Sequence, residues 1–530
     1  CGNVCAEQVF NIVEASVLDE YGKLTHTRKI TPREWSDHFR EQYRESVRES
    51  AGRENLPEIS FKVPGKLKQF GVFLKRDILK KLSDTQYLVV NFLEAPLLAF
   101  LLSFIVRYFD PDEFNQIGYT LAENNNLPVY IFMSVIVAIF MGLTVSAEEI
   151  IRDRKILKRE AFLDLSRSSY LLSKVAVQFM LSAIQAFTFV LIGNTIMGIR
   201  GMYLEYWIVL FSSWAMANVM GLLISDSFKT VVTIYILIPF LVIPQIILSG
   251  IIVKYENLNP QISSPKRIPF YGEIITARWA YEGLTTYQFV YNKYQKHFYH
   301  WGKLRSNANL KANFLVKELL NKLAFVEKNI DNSEQTEAVD YNLLTIRTEI
   351  GDEFRERMIL HRYYPAAPTF SMKNVEQLTR SSLDQELIDY TRAYLDTLKS
   401  FYSATFKAAV TEINRITQQF DMEEYKKMQR KHTNESLEEF VTNNKTLDFF
   451  TEYKGDMIQK RDPIYLDPTN RFIKAHFYAP RKMLFGSYFP TIWVNVGVIW
   501  FMTLILYLML YFRVLKRLLD LAERNGPGKR

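Results

Sequence analysis

The feature that most constrains this chain is a set of long apolar runs separated by strongly charged segments. Windows of about twenty mainly apolar residues are the length that crosses the hydrocarbon core of a bilayer as a helix. Six such windows can be placed, near residues 87–109, 129–147, 170–198, 204–225, 230–253 and 488–512. The sequence therefore predicts an α-helical, polytopic membrane protein with six transmembrane helices.

The charged segments predict how these spans are oriented. Segment 110–126 contains no Lys or Arg, whereas loop 151–169, the approach to the first span and the tail after the last span are strongly basic. Lys and Arg collect on the cytoplasmic side, so both termini and this loop are expected there. We expect an integral protein of a bacterial inner membrane. A lipid anchor on Cys1 would place the N-terminus on the opposite face and is therefore disfavoured.

Two regions precede the first span. Residues 1–60 are expected to form short cytoplasmic helices and connectors, and Thr31, Pro32 and Glu34 have the spacing of a helix capping box. Residues 61–85 contain "KLKQFGVFLKRDILKKL", in which apolar residues recur at helical spacing among lysines. This pattern predicts an amphipathic connecting helix along the inner membrane surface, or alternatively a cytoplasmic extension of the first span.

The rest of the chain divides at the spans. Residues 86–256 hold the first five spans with the charged cytoplasmic loop 148–169, and residues 488–530 hold the last span and a basic tail. Between them, residues 257–487 contain no membrane-length apolar run but show apolar residues on a three-four rhythm. This pattern predicts an inserted helical domain on the extracytoplasmic side.

Motifs of self-contained active sites are missing from the sequence. It has no G-x-x-x-x-G-K-[ST] loop, no H-E-x-x-H, no C-x-x-C and no G-x-S-x-G, so we assign no catalytic residue. His297 and His300 lack a nearby carboxylate motif and are more typical of a surface than of a metal site, so we expect no metal. The chain has a net charge of +8, and its basic residues lie beside the membrane spans and are accompanied by Asp and Glu. This distribution disfavours nucleic acid as a partner.

The loop sequence "SAEEIIRDRKILKRE", residues 146–160, alternates acidic and basic residues after the second span. One interpretation is an orientation signal alone, for which a few lysines would be enough. The other is a helix that projects into the cytoplasm and docks onto another protein through charges of both signs. The acidic residues favour docking.

The order of these features resembles the membrane half of type-2 ABC exporters, particularly the G-subfamily or White-like permeases. The resemblance rests on Arg159-Glu160, on the Tyr170 to Lys174 stretch "YLLSK", and on "GLLISDSFKT", "IPQIILSGIIV" and "ITARWAYEGL". It covers about residues 66–290 and 488–515. The opening "CGNVCAEQVFNIVEA" resembles the linker that follows the nucleotide-binding domain, so this chain is expected to be the C-terminal part of a fused ATPase-permease or to pair with a separate ATPase subunit.

This resemblance implies partners and a coupling site. ATP and Mg²⁺ would bind the partner nucleotide-binding domain and no cofactor would bind this chain, while a second permease half would complete a homodimer. Residues expected to couple to the ATPase lie in the connecting helix and the charged loop: Arg76, Glu148, Glu149, Arg152, Arg159 and Glu160.

Polar residues within the spans are candidates for a substrate pathway. Glu94 would be costly facing lipid, so it is either a pathway residue or one that reaches the interface. Gln245 is assigned to the pathway, and Leu248 and Ser249 resemble the outward constriction of the family.

The leading functional hypothesis is an ATP-driven permease that exports a lipidic or amphipathic substrate. The alternative is a membrane-anchored scaffold or receptor whose outer domain, residues 257–487, binds a partner. That domain is much longer than the corresponding loop of the family.

Overall fold

The computed structural model describes residues 6–43, 64–110, 118–160, 165–363, 370–468, 470 and 472–525. Cys1, considered above for a lipid anchor, lies outside the described residues, as do parts of the predicted linker, of loops 110–126 and 148–169, and of the tail. The chain divides into two compact units, Cys1–Val63 and Pro64–Arg530.

The described part of the first unit, residues 6–43, contains two short helices and a hairpin. Its elements in chain order are α1 (Ala6–Val13), β1 (Ser16–Leu18), β2 (Leu24–Arg28) and α2 (Pro32–Gln42). The predicted capping box is confirmed, since the Thr31 amide donates to Glu34 Oε2 over 2.8 Å and the Glu34 amide donates to Thr31 Oγ1 over 3.3 Å. The antiparallel pairing of β1 with β2 was not predicted.

The second unit begins with the helices of the expected membrane region. They are α3 (Lys66–Ser83), α4 (Thr85–Val106), α5 (Leu127–Ser146), α6 (Glu149–Arg159), α7 (Arg167–Met197), α8 (Tyr203–Ser227) and α9 (Val231–Ile247). Within the described residues, five helices are long and apolar enough to cross a membrane: α4, α5 together with α6, α7, α8 and Thr491–Tyr511. Helix α9, in the predicted fifth span, has 17 residues and is shorter. The six-span count therefore stays a prediction.

Residues 257–487, called the insert from here on, are mainly helical where the structure describes them. Two hairpins that the sequence did not predict also occur there, the second extending to Pro490. The elements in and after it are α10 (Phe270–Ile274), α11 (Thr276–Val290), α12 (Gln295–Leu310), a π-helical turn (Lys311–Leu315), α13 (Val316–Asn329), α14 (Thr336–Tyr363), α15 (Gln385–Gln418), α16 (Met422–His432), α17 (Glu435–Thr442), β3 (Phe450–Tyr453), β4 (Asp456–Gln459), β5 (Arg481–Leu484), β6 (Ser487–Pro490), α18 (Thr491–Tyr511) and α19 (Val514–Asn525). Strand β3 pairs with β4, and β5 pairs with β6, both antiparallel.

Two predicted spans are longer than the helices that form. The predicted fifth span reached residue 253, but α9 ends at Ile247 and the chain turns at Gly250, whose φ is +76°. The predicted sixth span began at residue 488, but Ser487–Pro490 form strand β6. In both cases the apolar run is longer than the helix, beyond the end of α9 and before the start of the last span, and its extra residues contact the insert. A hydropathy window cannot distinguish such contacts from contacts with lipid.

Helix α8 is the centre of the bundle. In its apolar window 83% of the residues are buried, compared with 22% in α4 and 28% in α18. Small residues bring α8 close to α5, because a Cβ on Gly142 would lie 2.7 Å from both the Trp214 carbonyl oxygen and the Ala217 Cβ. Helices α4 and α18 therefore lie at the periphery, with apolar faces exposed.

Candidate functional site

A buried lysine joins three helices at the end of the bundle opposite the insert. Lys174, in the second turn of α7, has a side chain that is only 2% exposed. Its Nζ lies 2.6 Å from Asp77 Oδ1 on α3, and 2.8 Å and 3.1 Å from Asp153 Oδ2 and Glu149 Oε2 on α6. A buried charge is costly unless it is paired, so these three contacts hold α3, α6 and α7 together.

Two further lysines balance the charge. Lys81 forms an ion pair with Glu149 and donates to Tyr87 Oη over 2.8 Å. Lys80 donates to Asp153 Oδ1 over 2.9 Å. The Lys174 cluster is defined here as three lysines and three carboxylates: Lys80, Lys81, Lys174, Asp77, Glu149 and Asp153. Four-residue spacing places Asp77 with Lys81, and Glu149 with Asp153, on one face of their helices.

Hydrogen bonds attach the same helices to α8 and α18. Ser225 Oγ, near the end of α8, accepts from the backbone amides of Ile150 and Ile151 over 3.1 Å each, which satisfies two amides in the first turn of α6. Arg154 donates to the carbonyl oxygens of Ser225 and Asp226 over 2.9 Å.

One arginine completes this assembly. Arg167, at the start of α7, donates to Asp226 Oδ2 and to the Leu510 carbonyl oxygen, each over 3.0 Å. The ends of α3, α6, α7, α8 and α18 are thus fastened to one another and are called the basal block from here on.

The structure places the predicted coupling residues in and around the basal block. Arg76 Nη1 on α3 donates to both carboxylate oxygens of Glu160, over 2.9 Å and 3.1 Å. Glu148 pairs with Arg152 and accepts from Tyr235 Oη on α9 over 2.6 Å. The prediction that these four residues, together with Glu149 and Arg159, couple to an ATPase is not tested by these contacts.

The surface of α6 differs from the predicted one. Ala147 and Glu148 form a short turn between α5 and α6, with both residues still in the right-handed helical region. The acidic residues Glu149 and Asp153 point inward into the Lys174 cluster. The exposed face is instead basic and consists of Arg152, Lys155, Lys158 and Arg159. Acidic and basic residues alternate along the sequence of this segment. In the folded helix the acidic side chains Glu149 and Asp153 lie on the inner face, and the basic side chains lie on the outer face.

The predicted pathway residues lie towards opposite ends of the bundle. Glu94 lines a groove of about 370 Å³ together with Asn91, Thr144, Glu148 and Tyr235, beside the basal block. At the other end of α9, Gln245 Oε1 accepts from the Ala277 amide over 3.0 Å. The bond caps the first turn of α11.

The remaining two pathway candidates form the turn that ends α9. Ser249 is fully buried, and its hydroxyl donates to the Ile246 carbonyl oxygen over 2.8 Å. The Leu248 carbonyl oxygen accepts from Tyr255 Oη over 2.9 Å. The structure thus places these polar groups in contacts within the chain, and a pathway role for all four residues stays a prediction.

Sequence reasoning missed the centre of the basal block. Lys174 was noticed only as part of a family motif, although an ionisable residue inside predicted span 170–198 is itself a signal of a buried partner. Asp77 stands alone among the lysines of α3 and could have been proposed as that partner. No sequence signal identifies Ser225 and Asp226, since their contacts to α6 cross more than seventy residues.

A second buried ionic cluster lies at the insert end of the bundle. Glu282 Oε2 on α11 accepts from Lys482 Nζ on β5 over 2.7 Å and from Asn495 Nδ2 on α18 over 3.1 Å. Arg278 Nη1 donates to the same oxygen over 3.2 Å, while its Nη2 donates to Glu273 over 2.6 Å. These five residues are called the Glu282 cluster. It fastens α11 and β5 to α18.

Burial changes the pKa of Lys482 in this second cluster. Lys482 is 1% exposed, and burial lowers the pKa of its ammonium from 10.5 to about 8, with Glu282 opposing the shift. The Lys482 ammonium and the Arg278 guanidinium also lie over the Trp279 ring, at 4.4 Å and 3.6 Å from its centroid. Both cationic side chains of the cluster therefore lie against the same aromatic ring.

Comparison with known proteins gives one family. Residues 68–289 match the family model described as ABC-2 type transporter. The match begins in α3 and ends in α11, so it includes the whole Lys174 cluster and the α11 part of the Glu282 cluster. A search of curated proteins finds no match.

Proposed function

We propose that this chain, an integral membrane protein whose residues 68–289 form the membrane domain of an ABC-2 type transporter, exports a lipidic or amphipathic substrate at the expense of ATP. The permease part of an ABC transporter works with an ATP-binding cassette, which would bind ATP and Mg²⁺ as a fused domain or a separate subunit. The observation that carries the proposal is the basal block, in which one exposed basic helix is fastened to the ends of the membrane helices.

We place the basal block in the cytoplasm of a bacterial cell, and the direction of export rests on the family resemblance alone. Basic residues are exposed on α3 and α6, among them Lys75, Arg76, Lys155 and Arg159. Such residues favour the cytoplasmic side of a membrane. The insert would then lie outside the inner membrane, and both termini inside the cell.

Movement of the cassette would reach the spans through the contacts of α6. Its exposed face would dock on acidic groups of the cassette, because Arg152, Lys155 and Arg159 carry one sign of charge. The Lys174 cluster would pass the displacement to α7, and Ser225 would pass it to α8. Tyr235, through Glu148, connects α9 to the same helix. Differential docking in the nucleotide-bound and free states is what permits such coupling.

A substrate route along α9 is supported by a polar groove at one end of this helix and the predicted constriction at its other end. The groove that contains Glu94 and Tyr235 lies beside the basal block and offers polar groups to a head group. The other end of α9 carries Leu248 and Ser249, the predicted outward constriction. A substrate with a polar head and an apolar body could follow α9, whose outer face is largely apolar and exposed.

The same apolar face supports a second permease half. Val232, Ile236, Phe240 and Ile243 are each at least half exposed along one side of α9. Cyclic dimers are the commonest symmetric assembly, and a two-fold axis beside α9 would place two routes face to face. We therefore propose a homodimer.

The test is co-purification and coupled transport. The chain is expressed with its neighbouring coding sequences, purified, and reconstituted in liposomes for measurement of ATP hydrolysis and of lipid or amphiphile export. The K155E/R159E variant should lose most substrate-stimulated hydrolysis and export, because both reversals lie on the docking face. The matched control is K317E/K399E, which makes the same charge change at two exposed positions of the insert.

Two results would contradict the proposal. Full activity of K155E/R159E would remove α6 as the docking helix. Failure to recover any ATPase with the chain would favour the scaffold or receptor alternative, with the insert as its binding part.

A further inference from the structure

A cavity lies between the insert and the end of α9. Its volume is about 300 Å³, at the lower end of ligand-binding pockets. Its apolar and aromatic wall is formed by Ile251, Tyr255, Phe440, Phe477 and Tyr478. These residues come from the chain after α9, from α17 and from the segment before β5. Ile251, which the sequence assigned to a span, thus lines this cavity.

One aromatic side chain connects this cavity to the predicted constriction. Tyr255 donates its hydroxyl to the Leu248 carbonyl oxygen over 2.9 Å, and its ring packs edge-on against Phe477 at 6.0 Å. The ring fits because residue 250 is glycine, since a Cβ there would lie 2.3 Å from the Tyr255 ring. The cavity wall and the turn that ends α9 are therefore one packed unit.

Some of the charges around the cavity are neutralised within the chain. Lys266 forms an ion pair with Asp456, and Lys445 pairs with Glu439 over 2.8 Å. The acidic lining residue Glu256 pairs with Lys460 over 3.4 Å, which lies outside the cavity. None of these groups carries an uncompensated charge.

Two lining cations have no anionic partner in the part of the chain that the structure describes. Lys254 Nζ donates to the neutral side-chain amide of Asn443 over 2.5 Å. The guanidinium of Arg267 makes neither a hydrogen bond nor an ion pair with any described residue and is exposed at the rim. An apolar cavity with two uncompensated positive charges at its rim is complementary to an anion attached to an apolar chain.

We propose that this cavity binds an anionic amphiphile, with its acyl chain against Ile251, Phe440 and Phe477 and its phosphate or carboxylate head at Lys254 and Arg267. The inference rests on the proposed export function, because the cavity adjoins the turn through which a substrate would leave α9. It narrows the substrate class from any lipidic molecule to one with a negatively charged head.

The test is photolabelling of the purified full chain in a neutral detergent, without ATP and without a cassette. The probe is phosphatidylglycerol with a diazirine on its acyl chain, and labelled peptides are identified by mass spectrometry. Label is expected on peptides containing Ile251, Phe440 or Phe477. Unlabelled phosphatidylglycerol or oleate should compete, whereas phosphatidylcholine and inorganic phosphate should not.

A charge variant separates specific binding from general lipid contact. K254Q/R267Q should lower the labelling of the cavity by at least about tenfold, since a hydrogen bond to a charged group contributes about 1.5 kcal/mol or more. The matched control K317Q/K399Q should label as the wild type does. Labelling of the lipid-exposed face of α4 in each sample reports whether the variant is folded.

Three outcomes would overturn the inference: competition by phosphatidylcholine equal to that by phosphatidylglycerol, competition by inorganic phosphate alone, or unchanged labelling of K254Q/R267Q with α4 labelled normally. These outcomes are independent of the proposed export function. A chain that binds the probe here but transports nothing would overturn export alone, and ATP-driven transport without labelling of the cavity would overturn this inference alone.

Discussion

The Lys174 cluster and the Glu282 cluster are both buried and ionic, but they are neutralised differently. At the basal end three lysines meet three carboxylates, and one of the lysines, Lys80, has a side chain that is 55% exposed. At the insert end a single oxygen of Glu282 accepts from Arg278, Lys482 and Asn495, and the charged side chains of Glu282, Arg278 and Lys482 are at most 1% exposed. The first cluster reaches the surface through a lysine, whereas the Glu282–Arg278–Lys482 core of the second is closed and reaches the surface only at Glu273, which is 25% exposed.

This difference predicts that the helices can move relative to one another at the Lys174 cluster but not at the Glu282 cluster. Glu149 and Asp153 each contact two lysines, so a displacement of α3 against α6 can exchange partners without leaving a buried charge alone. Lys482 has no carboxylate other than Glu282 within ion-pair distance among the described residues. We expect relative helix movement at the basal end and a fixed junction at the insert end.

The largest effect should come from removing the shared cation of the basal cluster. K174M leaves three carboxylates with two lysines in a buried setting, and breaking a buried pair in this way costs about 3–5 kcal/mol. Thermal unfolding of the detergent-solubilised chain should show a large fall in Tm. The control is K155M, at an exposed position on α6, which should change stability by less than about 0.5 kcal/mol. Equal Tm values for both variants would refute a stabilising role for the cluster.

A smaller loss is expected from the closed cluster. E282Q removes the charge shared by Arg278 and Lys482 but keeps a hydrogen-bonding oxygen, so it should cost about 2 kcal/mol. Arg278 keeps its pair with Glu273, so E282Q leaves only Lys482 without a carboxylate. K482M removes that cation, and the double variant E282Q/K482M should therefore lose less stability than the sum of the two single variants. A double-mutant cycle on Tm measures this coupling. Additive losses would mean that the two side chains are not an interacting buried pair.

A pH dependence should distinguish the closed cluster further. Because burial lowers the pKa of Lys482 from 10.5 to about 8, the folded chain binds fewer protons than the unfolded chain between these values. This lysine therefore makes stability rise as the pH increases from about 8 to 10.5, and it adds no pH dependence below that window. The measurement is the difference in Tm between the wild type and K482M across the window. Parallel curves would contradict a buried, partly desolvated Lys482.

The smallest effect is expected at the surface of the basal block. The Arg76–Glu160 pair has side chains that are 41% and 28% exposed, so R76E should cost no more than about 1 kcal/mol. The swapped variant R76E/E160R should recover most of that loss, and both effects should shrink in high salt because exposed charges are screened. Chemical denaturation at low and high ionic strength provides the check. If R76E lowered the free energy of unfolding as much as K174M does, the Arg76–Glu160 pair would have to be counted as part of the Lys174 cluster.

Hydropathy predicted most of the membrane helices, because burial in lipid and burial in protein both require apolar residues over the same length. It overestimated the fifth and sixth spans at Ile251 and at Tyr488, where apolar residues contact the insert or form a strand. The alternating acidic and basic residues of 146–160 predicted the charged helix after the second span. Which face of that helix is acidic depended on Lys174, which approaches from another helix.

The sequence by itself determined the helical membrane class and the family resemblance, because both depend on the order and spacing of residue types along the chain. Only the tertiary structure decided which charges are buried and which are exposed. Asp77 meets Lys174 across 97 residues, and Glu282 meets Lys482 across 200. Pairing at such separations is set by how helices pack, and the physical cost of an unpaired buried charge is what makes those pairings specific.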